Sequence, residues 1–201
     1  MTRASAFVLG YHGCNRAVGE RVLAGKEHLR ASDNDYDWLG TGIYFWENSP
    51  RRALEWAYFV KSNPKFARSR ITDPFVVAAI IDLGNCLDLL EAESIATVEQ
   101  GHLEFIESCR DFKVPVPQNK KLGKDVWLRF RDCAVINFVH LMREAEGQPA
   151  FDTVRAAFIE GPPLYEDAGF YQKTHIQICI RNAQQIIGYF RPLGVVQVKT
   201  R

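Results

Sequence analysis

The nine residues 74–82, PFVVAAIID, constrain the fold more than any other part of the sequence. They are nearly all apolar and rich in β-branched side chains, which suits a central strand buried on both faces rather than a helix. Around this strand the chain alternates between apolar patterns of period 2 and of period 3.6, so strands and helices are interleaved. Strands are expected over residues 6–11, 43–46, 153–159, 175–180 and 185–190, and helices over 17–24, 50–62, 91–111 and 124–144. Ser49 suits the N-cap of the second helix and Pro50 its first turn. The stretch SDNDYDWLGTG at 32–42 gathers turn-forming Asp, Asn and Gly around two aromatics and reads as loop. So do the linker KVPVPQNKKLG at 113–123 and residues 160–174, the latter of a length that usually carries function. With no repeat and no low-complexity tract, the expectation is one α+β domain over 1–201, a mixed β-sheet core with flanking helices.

Composition narrows the function. At 201 residues, 47% hydrophobic and 24% charged, the chain is neither a disordered tail nor a disulfide miniprotein. Lys plus Arg number 25 against 24 Asp plus Glu, so any grip on nucleic acid or membrane must be local. Two local basic runs exist. Arg51, Arg52, Lys61, Lys65, Arg68 and Arg70 face only Glu55, and Lys113, Lys120, Lys121, Lys124, Arg129 and Arg131 face Asp125. They read first as solvated faces and second as phosphate-tracking surfaces. The five cysteines show no CxxC spacing, which argues against a disulfide framework or a metal centre and fits a reducing cytoplasm. The opening apolar stretch is too short for an export signal, and no run approaches the ~18 apolar residues of a membrane span. No P-loop, GxGxxG fingerprint or HExxH motif is present.

Three short motifs remain. Tyr11-His12-Gly13 closes the first expected strand, where a glycine admits close backbone approach and an imidazole can bond a ribose hydroxyl. Taken alone it reads as a turn with a structural histidine. In Gly40-Thr41-Gly42-Ile43-Tyr44-Phe45, two glycines precede a strand that sends successive aromatics to opposite faces. Taken alone it reads as a hairpin edge. The third is Lys173-Thr174-His175-Ile176-Gln177-Ile178, in which alternation places His175 and Gln177 on one face.

In this order along the chain, the motifs resemble those of the ADP-ribosyltransferase superfamily, in its poly(ADP-ribose)-polymerase-like and diphtheria-toxin-like branch. The resemblance implies a split mixed sheet with NAD as substrate and no metal. It implies that His12 bonds the adenosine ribose, that the Gly13 backbone pairs with the nicotinamide amide, and that Tyr44 stacks on the nicotinamide. Tyr11 and Gly42 would line the same pocket, and Trp56, preferred over Tyr58, would be the second stacking aromatic. The sequence departs from the polymerase pattern at the third motif. There His175 or Gln177 stands in place of the family glutamate, and neither supplies a fixed negative charge. Glu160 and Glu166, in the loop expected to recognise the acceptor, are the alternative carboxylates. The resemblance therefore implies transfer of one ADP-ribose to a macromolecular acceptor, with RNA or DNA ahead of protein. It also implies a toxin-like defence role with a possible neutralising antitoxin as partner. Two alternatives stand beside it: a non-catalytic NAD or ADP-ribose binding module, and an RNA 2′-phosphotransferase-like enzyme.

Overall fold

The structure is a computed structural model that describes residues 7–66, 70–122 and 126–194. Its strands are β1 (Phe7–Asn15), β2 (Ile43–Glu47), β3 (Pro74–Asp82), β4 (Cys86–Asp88), β5 (Lys120–Leu122), β6 (Val126–Leu128), β7 (Thr153–Phe158), β8 (His175–Ile180) and β9 (Ile186–Phe190). Its helices are α1 (Arg16–Leu23), α2 (Pro50–Ser62), α3 (Ala92–Asp111) and α4 (Phe130–Ala145).

The apolar run at 74–82 is β3, buried everywhere except at Ile80 and Asp82. It pairs antiparallel with β1 along its whole length, from Phe7↔Asp82 to Asn15↔Pro74, and with β9 on its other edge. Seven strands form one sheet in the order β4-β7-β8-β2-β1-β3-β9, while β5 and β6 make a separate hairpin. The β4–β7 pair is parallel and the other neighbours are antiparallel, so the sheet is mixed.

Strand alternation divides the core between the two faces of this sheet. On the first face Cys14, Ile43, Phe45, Val77, Ile81, Ile178 and Ile180 pack under Val22 of α1. The second face is covered from two sides. Ala53 and Leu54 of α2 lie on Trp46 and Val76, whereas Ile136 and Val139 of α4 lie on Leu87, Val154, Ala156, Phe158 and Cys179. Helix α3 backs α4 through the edge-on pair Phe105–Phe138.

Several boundaries differ from expectation for identifiable reasons. β1 does not stop at Tyr11 but continues to Asn15, because β3 offers partners from Val77 to Pro74 opposite His12 to Asn15. The last helix starts at Phe130, not at 124, since the preceding residues fold back as the β5–β6 hairpin. Its first turn is capped from outside: Asn119 Oδ1 accepts from the Arg131 and Asp132 backbone N–H groups at 2.9 and 3.4 Å. Ser49 does occupy the N-cap of α2, with Pro50 in the first turn, although its side chain makes no capping bond. The three-residue β4 carries too little pattern to read from sequence. Among the described residues, no helix is long and apolar enough to cross a membrane.

Gly13 marks where α2 and β1 touch most closely. A Cβ there would run into the Ala53 carbonyl oxygen and come within 3.3 Å of the Ala57 methyl. Gly13→Ala is expected to cost about 1–3 kcal/mol through overpacking, seen as a lower urea midpoint. An unchanged midpoint would mean that α2 does not rest on β1 at this point.

Candidate functional site

The central junction of the sheet is incomplete. Strands β1 and β2 pair at Gly10↔Glu47 and Tyr11↔Trp46, and the Asn48 N–H donates to the Leu9 carbonyl at 2.9 Å. Past Tyr11 a side chain takes over, with His12 Nδ1 lying 2.8 Å from the Tyr44 carbonyl oxygen. A carbonyl only accepts, so Nδ1 carries the proton and Nε2 is the accepting nitrogen. Burial lowers the pKa of His12, with the Tyr44 bond acting in the opposite sense. Its ring lies 5.7 Å from Phe45.

Register then decides which side chains share a wall. His12 is opposite Val77, on the first face, whereas Tyr44 is opposite Cys179, on the second. The His12 and Tyr44 side chains therefore leave opposite faces of the sheet and meet only through the Tyr44 backbone. The expectation that imidazole and phenol line one wall is not met. Tyr44 is further committed by its hydroxyl, which donates to the Gly40 carbonyl at 2.7 Å and accepts from the Leu39 N–H at 2.9 Å. Burial pushes that phenol above its ordinary pKa. Gly42 closes the same loop through reciprocal backbone bonds with Ser32 at 2.8 and 3.0 Å. Its missing Cβ leaves room for Cys179 Sγ.

The second face brings the remaining candidates together. His175 and Gln177 project beside Phe158 and Trp46, since β8 pairs Phe158↔His175 on one side and Trp46↔Gln177 on the other. Nδ1 of His175 donates to the Lys173 carbonyl at 2.6 Å, which leaves Nε2 to accept from Gln177 Nε2 at 3.1 Å. Burial pushes the His175 pKa down to about 4, so the ring is neutral near pH 7. Glu160, from the loop before β8, places a carboxylate oxygen 3.9 Å from His175 Nδ1 and 3.3 Å from the Arg52 guanidinium. Glu166, by contrast, is exposed on the outer part of that loop and joins none of these groups. Of the two aromatics weighed on α2, Tyr58 is packed with Tyr11 against Trp46 and Val76. Trp56 is 39% exposed, lies 6.0 Å from Trp46 and stacks on Phe59 at 5.4 Å.

Trp46, Arg52 and Phe158 belong to this group and were not singled out from sequence. The signal for Trp46 was present, because it stands two positions after Tyr44 and so shares its face. Arg52 was visible only as one member of a basic run. Two buried donors here have no partner among the described residues, Trp46 Nε1 and Arg52 Nε. A buried unsatisfied donor costs about 1–3 kcal/mol, so such atoms point to a missing acceptor. On the opposite face Arg155 clamps the strands that carry the site, reaching Glu47 at 2.6 and 3.0 Å and Asp88 at 3.0 Å. The basic runs are partly consumed by the fold. Arg51 and Arg52 pair with Glu55, Arg129 lies over Trp38, and Arg131 donates to the Pro117 carbonyl. Arg68, Lys124 and Asp125 lie outside the described residues.

The chain is similar to an uncharacterized protein of Methanocaldococcus jannaschii, 29% identical over 196 residues that cover 88% of this chain and 83% of the relative. No family model matches the sequence. No solved structure matches it either.

The neutral His175 gives a pH signature. Its pKa is near 4 when folded against 6.5 when unfolded, so the unfolded chain takes up the proton first as pH falls. The stabilisation is complete above about pH 6.5 and is lost as pH drops toward 4, at up to about 1.4 kcal/mol per pH unit. His12 and His140, also depressed by burial, act in the same direction. Denaturation curves across this window should therefore show a steep acid loss that His175→Gln makes shallower. Equal slopes for the two proteins would remove His175 from the buried neutral group.

Proposed function

We propose that this chain is a mono-ADP-ribosyltransferase that cleaves NAD and passes one ADP-ribose to a macromolecular acceptor, nucleic acid ahead of protein. The reading rests on one observation. Three motifs far apart in sequence, Tyr11-His12-Gly13, Ile43-Tyr44-Phe45 and His175–Gln177, occupy the three adjacent strands β1, β2 and β8.

Within this reading the second face is the reaction site. Trp56, with Trp46 behind it, supplies the apolar wall for the nicotinamide ring. The unpartnered donors Trp46 Nε1 and Arg52 Nε meet carboxamide or phosphate oxygens of the dinucleotide. Loss of nicotinamide leaves positive charge on the ribose, which needs fixed negative charge nearby in a site that excludes water. Neither His175 nor Gln177 carries it, and Glu160 is the carboxylate at the head of β8. Glu160 therefore takes the electrostatic part, while Gln177, held by His175, positions a ribose hydroxyl. Tyr44 and His12 act as positioning residues, one holding the loop at Leu39 and Gly40 and the other holding β2 beside β1. The loop from Glu160 to His175 presents exposed Leu164, Tyr165 and Phe170 at its tip, a surface for the acceptor.

A second reading is a module that binds NAD or ADP-ribose without turnover. It is favoured by β8 itself, which carries no carboxylate and whose His175 and Gln177 are bonded to each other.

One experiment separates them. Incubation with NAD labelled in the adenylate, followed by fractionation of a lysate into protein, RNA and DNA, is expected to label a macromolecular fraction and release nicotinamide. Glu160→Gln should lower release by roughly 10²–10³-fold, the scale of losing one electrostatic stabiliser, while NAD binding measured by calorimetry persists. Trp56→Ala should weaken that binding. Binding without release by the native protein supports the module, and neither binding nor release removes both readings.

A further inference from the structure

A cavity of about 330 Å³ opens between the C-terminal half of α4, the start of β2 and the residue after β8. Its walls include Thr41, Asn137, His140, Leu141, Glu144 and Arg181. The volume is at the lower end of small-molecule sites. Of the residues singled out from sequence, Gly42 lies on this wall, while Trp56, His175, Gln177 and Glu160 do not line it.

Three features distinguish it from a packing defect. First, His140 lines the cavity, is only 8% exposed, and has a buried Nε2 with no hydrogen-bond partner among the described residues. Burial together with the nearby Arg181 and Arg143 cations lowers the pKa of this imidazole to about 3, so it presents a neutral ring. Second, among the described residues no hydrogen bond or ion pair engages the Arg181 guanidinium, although Glu144 is near enough to act on it electrostatically. Third, an anchor of opposite sign stands on the same wall in Glu144.

A simple anion would satisfy Arg181 but face the Glu144 carboxylate, and a simple cation would face the reverse conflict. A ligand carrying both charges meets both partners. We propose that this cavity binds a small zwitterion of the α-amino-acid class, with its carboxylate on Arg181, its ammonium toward Glu144 and a further polar group at His140 Nε2. Ala31 and Leu141 offer apolar surface for the remainder of the ligand. The site also touches the loop that fastens Tyr44. Asn137 Oδ1 accepts from the Thr41 N–H at 3.1 Å, and the neighbouring Gly40 carbonyl accepts from the Tyr44 hydroxyl at 2.7 Å.

The test uses the full chain and isothermal titration with each of the twenty α-amino acids, with acetate and methylamine as half-ligands. At least one amino acid is expected to bind saturably and to raise the melting temperature, and neither half-ligand is expected to do so at equal concentration. Arg181→Gln and Glu144→Gln, both at exposed positions, should each weaken binding by about tenfold or more, the scale of a lost charged hydrogen bond. Trp56→Ala, outside this cavity, should leave it unchanged, so the outcome is separable from that of the NAD experiment. Binding of no amino acid, binding that survives both substitutions, or a response to acetate alone would overturn the proposal.

Discussion

The hydrogen bond from His12 to the Tyr44 carbonyl holds the middle of this molecule together. Strands β1 and β2 share only a short stretch of backbone pairing, at Gly10–Tyr11 with Trp46–Glu47. Beyond it the Tyr44 carbonyl would be a partly buried acceptor without a partner, at a cost of about 1–3 kcal/mol. An imidazole reaching across the gap satisfies that acceptor without closing the ladder. Strand β2 is then committed to β8 on its other side, through four successive pairs from Ile43↔Ile180 to Trp46↔Gln177. That register is what carries Trp46 to the same neighbourhood as His175 and Gln177.

The chemistry of the second face follows from what burial does to each group. His175 is desolvated into neutrality, and its two nitrogens are spent on the Lys173 carbonyl and the Gln177 amide. It orients its neighbours and carries no charge into the site. The charged groups arrive from outside the strands, Arg52 from α2 and Glu160 from the loop before β8, and they meet each other there. A strand fixes direction by alternation, whereas a loop residue is free to bring its carboxylate to the strand head without obeying it. A loop can thus bring a carboxylate to the head of a strand whose own side chains carry none.

Much of the sheet was legible because its period is short and its composition extreme. The run at 74–82, the strand at 175–180 and the helix at 50–62 all fall where apolar spacing puts them. The extent of β1 was not legible, since Gly13 and Asn15 look like a turn until β3 is known to continue beside them. The start of α4 was hidden for a similar reason: its cap, Asn119, lies eleven residues before Phe130 and acts across a hairpin. In the site, His175 and Gln177 could be placed on one face by counting. The side of the sheet taken by His12 relative to Tyr44 could not, because it depends on where the β1–β2 pairing begins. Trp46 was within reach of the same counting, while the meeting of Arg52 with Glu160 depends on tertiary packing alone.

The 32–42 loop is where these separate parts bear on one another. Its ends are tied by the Ser32–Gly42 bridge, and its carbonyl at Gly40 receives both the Tyr44 hydroxyl and the Cys179 thiol. Asn137 of α4 holds it from the other side through Thr41. The half-buried Asp37 within it has its pKa raised, chiefly by desolvation, while bonds from Ser32 and Asn34 act in the opposite sense. Tyr44 packs into the second-face core and Thr41 borders the α4 cavity, with Gly40 bonded to the first and next to the second. Asn137 and the Tyr44 hydroxyl are thus linked by two hydrogen bonds across the single Gly40–Thr41 peptide.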